Sequence, residues 1–175
     1  MKPTSISSLA IATLATVLGS ATLATAQPAP QRGTDASYVG VGVSAGLMNG
    51  GQGNDAAILG GNVQGRAAIP NVPVSLRGAV LFSDETSAIM PLASYDIPIA
   101  PNTNLYVGGG YSFVERDGRR TPLGNRNAPV VVVGAEAELG RNVVAYGDAK
   151  WGIDAYQNSP ADALSIQGGV GMRFR

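Results

Sequence analysis

Apolar and polar positions alternate with a period of two through most of the chain beyond its first three dozen residues. In the last stretch Leu164, Ile166, Gly168, Val170, Met172 and Phe174 share one phase; Ser165, Gln167, Gly169, Gly171 and Arg173 share the other. Successive side chains of a strand point to opposite faces, so this period predicts strands rather than helices. Eight segments repeat it: 36–47, 56–69, 73–83, 87–97, 104–115, 129–139, 142–154 and 162–174. Turn-rich stretches separate them, such as Asn49 to Asp55, Pro70 to Pro73, Pro98 to Asn104, Arg116 to Asn127 and Asn158 to Pro160. Past residue 26 no segment is long and apolar enough for a membrane-spanning helix.

One phase of each segment is apolar, and the other collects the charges. Val39, Val41, Val43, Ala45 and Leu47 oppose Tyr38, Gly40, Gly42 and Ser44; Ala57, Leu59, Val63, Ala67 and Ile69 oppose Asn62, Gln64 and Arg66. Every mid-strand charge falls on the polar phase: Arg66, Arg77, Asp96, Glu136, Glu138, Asp148, Lys150, Asp154 and Arg173. A cation facing lipid near the bilayer midplane costs about 2–4 kcal/mol, which gives this segregation a physical reason. The pattern predicts an all-β, eight-stranded, antiparallel up-and-down barrel whose apolar face meets lipid. Ten-residue alternating segments with turns between them are the signature of that architecture. A soluble barrel would turn the same apolar face inward and the charges outward. Two features favour lipid. The polar face mixes Gly and Ser with charges of both signs, which suits a narrow lumen. Aromatics on the apolar face fall near the strand ends, with Phe82, Tyr111, Phe113 and Trp151 at one rim and Tyr95 and Phe174 at the other. The fourth segment fits least well: Pro91 lacks a ladder donor, so a bulge or break is expected there.

Composition narrows the chemistry. The 175 residues suffice for one domain, and 12 basic residues balance 12 acidic ones, so no basic stripe points to nucleic acid. There is no Cys and no His, which removes disulfides, thiolate sites and the commonest general base and metal ligand. Glu136 and Glu138 share a face as a catalytic pair or cation site would need, but pairing with lumen arginines is the expected role. Gly40-Val41-Gly42-Val43-Ser44-Ala45 fits a loose nucleotide fingerprint, yet lies inside a predicted strand rather than before a helix. Neither an enzyme nor a cofactor is expected. Arg116, Arg119, Arg120 and Arg126 in the longest link read as a solvated basic loop, or as a contact for lipopolysaccharide phosphates or a host surface.

Residues 1–26 carry the three parts of a secretory signal: Lys2, the apolar run Ile6 to Leu18, and Ala24-Thr25-Ala26 as cleavage site. A flexible segment over 27–35 would follow, then the barrel over 36–175.

With strand count, turns and faces on the page, the chain resembles the eight-stranded outer-membrane barrels of the OmpA membrane domain, OmpX and opacity type. The most specific feature is the closing strand. Gln167, Gly169, Met172 and Phe174 occupy the positions of the family's polar-x-Gly-x-x-apolar-x-apolar assembly signal, although Arg175 follows the aromatic. The resemblance implies an outer-membrane location, both termini in the periplasm and folding by the barrel assembly machinery. Links 70–72, 98–103 and 140–141 would then be periplasmic, and 48–55, 84–86, 116–128 and 155–161 extracellular. The expected partners are outer-membrane lipid and lipopolysaccharide, not nucleic acid, and the expected state is a monomer. The expected role is structural or surface-interacting, with the lumen plugged by the polar network. A narrow porin-like channel and a soluble periplasmic ligand-binding barrel are the alternatives.

Overall fold

The computed structural model describes residues 33–50 and 58–174. The expected signal over 1–26, most of the expected flexible segment and most of the 48–55 link lie outside the described residues.

Eight strands follow in chain order: β1 (Ser37–Gly46), β2 (Leu59–Ala68), β3 (Val74–Phe82), β4 (Ser87–Ala100), β5 (Thr103–Val114), β6 (Ala128–Glu138), β7 (Val143–Gly152) and β8 (Ala163–Phe174). Each pairs antiparallel with its chain neighbour, and β1 closes the barrel on β8. In the closing seam Val41 faces Val170 and Ser37 faces Phe174, so the described chain begins and ends at the same barrel end. That is called the terminal end below; the other is the loop end.

Closure decides what each phase meets. The apolar phase points out: Leu59 is 81% exposed, Val43 71% and Met172 70%. The polar phase points in, where Arg66, Arg77, Asp96, Glu136, Asp148 and Lys150 are buried. A barrel in water cannot leave this much aliphatic surface outside while sequestering its charges. A barrel in lipid requires it, since only the closed ladder satisfies every backbone group there. Phe82, Tyr111, Phe113 and Trp151 lie exposed on the outer face toward the loop end, and Tyr95 and Phe174 toward the terminal end.

β4 meets the expectation of a local break on one side only. It runs without interruption, and Pro91 pairs with Gly78 of β3 in unbroken register. On the β5 side the register is the same before and after Pro91; only the partners of Met90 and Pro91 are missing. The Pro91 carbonyl lies against β5, where a Cβ on Gly110 would come within 2.0 Å of it. The absent N–H therefore faces β5 as well, and the β4–β5 ladder opens locally at Met90 and Pro91 while the β3 side holds the strand in place. A shift of register sits further on, between Pro98 and Ala100.

The interior is mixed. Charged and polar residues fill the terminal half. Toward the loop end the inward phase of β3, β4 and β6 turns apolar, with Leu81, Met90, Leu92, Val130 and Val132 buried together with Leu123, Ala155 and Tyr156 from the long links, while Ser44, Asn62, Lys150 and Ser165 of β1, β2, β7 and β8 still point polar groups inward. The lumen is therefore not polar throughout, as the alternation had implied. Glycines on the inner face make room for tyrosines. A Cβ on Gly134 would lie 2.5 Å from the Tyr106 ring, and one on Gly169 2.5 Å from the Tyr146 hydroxyl.

Candidate functional site

The lumen network begins with two arginines on neighbouring inward positions of β2 and β3, paired across the ladder as Arg66 and Arg77. Two like charges side by side need anions, and β4 and β6 supply them. Arg66 contacts Asp96 at 2.7 Å and Glu136 at 3.2 Å; Arg77 contacts Asp96 at 3.0 Å and Glu136 at 2.9 Å. Each guanidinium thus bridges both carboxylates, and the four groups close a ring with no net charge. The fork of arginine suits this two-sided pairing better than a lysine ammonium would.

Neutral groups complete the ring. Arg66 Nε donates to Ser75 Oγ at 2.9 Å, and Arg77 Nε donates to Ser94 Oγ at 2.8 Å. Ser75 also donates to Asp96, and Tyr38 donates to Glu136 at 3.1 Å. The Tyr106 ring lies 3.6 Å from the Arg77 guanidinium carbon, a cation–π contact in a site shielded from water.

A second pair stands apart from this ring. Lys150 Nζ lies 2.6 Å from Asp148, and both side chains are wholly buried. Tyr106 donates to the same carboxylate at 2.8 Å, and Tyr146 donates to Asn62 at 2.6 Å. Near the terminal mouth Arg173 joins Glu138 at 2.8 Å and Asp35 at 2.9 Å.

Of the nine charges read from the sequence, Asp154 must be corrected. β7 ends at Gly152, Ile153 makes a last backbone bond to Pro129, and Asp154 turns at a φ of 52°. Its exposed carboxylate meets Arg126 at 3.2 Å, outside the lumen. The alternation ran past the strand end because a turn can continue it by chance. Glu136 and Glu138 do not act as a carboxylate pair; Glu136 is held by Arg66 and Arg77, and Glu138 by Arg173. Gln167 and Gly169 face inward, while Met172 and Phe174 face out. Sequence reasoning placed Tyr38 and Gln64 on the polar phase without assigning them to the network; sharing a phase with the charges was the available signal. Thr34, Leu123 and Tyr156 lie outside any alternating segment and carried none.

At the loop end the basic link is largely occupied. Arg120 bonds Glu85 in the β3–β4 turn, through its side chain and its backbone N–H. The Glu85 carboxyl is held below its ordinary range by these bonds, and the Arg120 guanidinium is pushed up by the same contact. Arg126 is taken by Asp154, leaving Arg116 and Arg119 exposed with no ion pair among the described residues.

No protein-family model matches the sequence, and no curated protein matches it by sequence. Solved structures do match in fold. Ail, the attachment invasion locus protein of Yersinia pestis, was solved in complex with the heparin analogue sucrose octasulfate. It aligns over 79% of this chain and 97% of its own, at 15% identity and a TM-score of 0.51. Neisserial surface protein A aligns over 79% and 97%, at 14% identity and a TM-score of 0.54. The chain has the fold of the eight-stranded outer-membrane β-barrels, closed strand by strand in the same up-and-down order.

Proposed function

We propose that this chain is a non-enzymatic, monomeric barrel with a plugged lumen, acting at the cell surface through its loop end. The carrying observation is the ring of Arg66, Arg77, Asp96 and Glu136, which places two guanidinium forks across a lumen only wide enough for side chains. Above it, Leu123, Ala155 and Tyr156 pack onto Met90, Leu92 and Val132, adding an apolar layer that a hydrated ion would have to cross. In this reading the terminal end is periplasmic, and Gln167, Gly169, Met172 and Phe174 serve recognition by the assembly machinery. Arg116 and Arg119 are then the groups open to anionic surface chemistry, including lipopolysaccharide phosphates. The loop-end segments also carry Asp84, Glu85, Asp154 and Asp162, and their balance of charge argues against a broad polyanion platform.

Planar-bilayer recording tests the plug. The purified barrel is expected to give traces indistinguishable from bare bilayer. Reproducible single-channel steps from the wild-type protein would overturn the reading and support the narrow channel instead.

A further inference from the structure

The residues just before β1 stay in the barrel mouth instead of leaving it. Thr34 is 5% exposed, and its backbone binds the side chain of Asn104 on β5 in both directions. Thr34 N–H donates to Asn104 Oδ1 at 3.1 Å, and Asn104 Nδ2 donates back to the Thr34 carbonyl at 2.7 Å. The same carbonyl accepts from both terminal nitrogens of Arg66 at 3.3 Å, and the Ala36 carbonyl accepts from Arg66 at 2.8 Å. The Thr34 hydroxyl donates to Glu138 and accepts from the Ala36 N–H. Asp35 adds its ion pair with Arg173. One short segment therefore ties β2, β5, β6 and β8 together across the mouth.

Gly33 makes this course possible. Its φ is +50°, and a Cβ there would sit 2.0 Å from Asn104 Oδ1 and 3.0 Å from Pro98 Cβ. Both the backbone conformation and the space exclude a side chain.

We propose that Gly33–Thr34–Asp35 is a latch that holds Arg66 in the lumen ring and keeps the terminal mouth closed; the proposal rests on the plugged-lumen reading above. With the latch seated, Arg66 has acceptors for all its donors: Ser75, Thr34, Ala36, Asp96 and Glu136. With the latch released, its guanidinium loses the Thr34 carbonyl, the acceptor that both terminal nitrogens share. A cavity of about 470 Å3 lies alongside, lined by Thr34, Arg66, Asp96, Asn104 and the turn from Ile69 to Val74. It is the space into which Arg66 would swing, hydrating the ring from that side.

The chain contains no Cys, so a single introduced thiol is a unique reporter. Ser75→Cys puts it beside Arg66 and Asp96, at a position wholly buried in the latched state. In vesicle-embedded barrels, a small water-soluble thiol reagent is expected to modify Ser75→Cys slowly. Adding Gly33→Val is expected to raise the rate at least tenfold. Adding Asn104→Ala, which removes the partner but leaves the Gly33 backbone unstrained, is expected to do the same. Heat-modifiable gel mobility confirms folding, and if Gly33→Val fails that control, Asn104→Ala alone decides. Unchanged rates in folded variants overturn the latch. Fast modification of Ser75→Cys with the latch intact also overturns it, because the mouth would then not be closed. Single-channel recording separates this from failure of the plug. Conductance in the wild type sinks the plugged lumen itself; a silent wild type with unchanged variant labelling sinks only the latch.

Discussion

Arg77 reaches both carboxylates of the ring, Ser94 and the face of Tyr106, so its removal leaves several groups without a counterpart at once. Asp96 and Glu136 would each keep only Arg66, and one cation cannot neutralise two buried anions. Breaking a buried pair from one side typically costs about 3–5 kcal/mol. Arg77→Met is expected to destabilise the barrel by about that much, measured by equilibrium urea unfolding in lipid vesicles. Arg77→Lys is expected to recover only part of the loss, because an ammonium does not fork across both acids. A loss below about 1 kcal/mol for Arg77→Met would mean that the ring contributes little. Gln167 behaves in the opposite sense. It is buried on β8, yet neither end of its side-chain amide has a hydrogen-bond partner. An unsatisfied buried polar group costs about 1–3 kcal/mol, so Gln167→Met is expected to be neutral or stabilising by up to about 2 kcal/mol in the same unfolding assay. Marked destabilisation would instead show that ordered water completes the amide's bonds.

At the scale of elements, strands and links differ in how much the sequence discloses. The period of two located all eight strands to within a few residues, and one closed register put Arg66, Arg77, Asp96, Glu136, Asp148 and Lys150 inside. Pro91 does open the β4–β5 ladder locally, but continued pairing with β3, which no local pattern reveals, keeps the strand whole. The links misled because their contacts are non-local. Leu123 and Tyr156 are single apolar residues in polar stretches, and only closure brings them over Met90 and Val132. The contact between the β3–β4 turn and the long link is likewise non-local, and it is sensitive to pH. Arg120 holds the Glu85 carboxyl below its ordinary range, so the contact is complete above the unfolded carboxylate pKa. It is lost as pH falls through the lowered value in the folded protein. Arg120 is pushed up and stays charged throughout. The Glu85 carboxyl carbon is therefore expected to titrate by NMR below the normal glutamate range, with exchange of the Arg120 amide rising over the same interval. Glu85→Gln is expected to loosen that amide already at neutral pH. A normal Glu85 titration would remove the contact from the folded state in solution.

For the molecule as a whole, the question that alternation left open was which face meets the solvent. A period of two describes a lipid-facing barrel and its soluble inverse equally well, and the choice needs closure. With β1 sealed on β8, the charge-bearing phase lies inside and the apolar phase outside. Membrane burial then makes a prediction about a residue that touches nothing in the network. Val133 is midway along β6, between Val132, which is buried in the lumen, and Gly134, and is 56% exposed on the outer face. In water an arginine there would meet solvent and change stability by about 0.5 kcal/mol or less. At the bilayer midplane it would have to thin the membrane or reach for a headgroup, at about 2–4 kcal/mol. Val133→Arg is expected to fall in the second range when unfolding is followed in vesicles, while Leu139→Arg, past the end of β6 near the terminal rim, costs about 1 kcal/mol or less. The depth dependence separates hydrocarbon from a generic loss of packing, since both side chains point away from the core. Equal costs at the two positions would mean that the apolar belt is covered by something other than lipid.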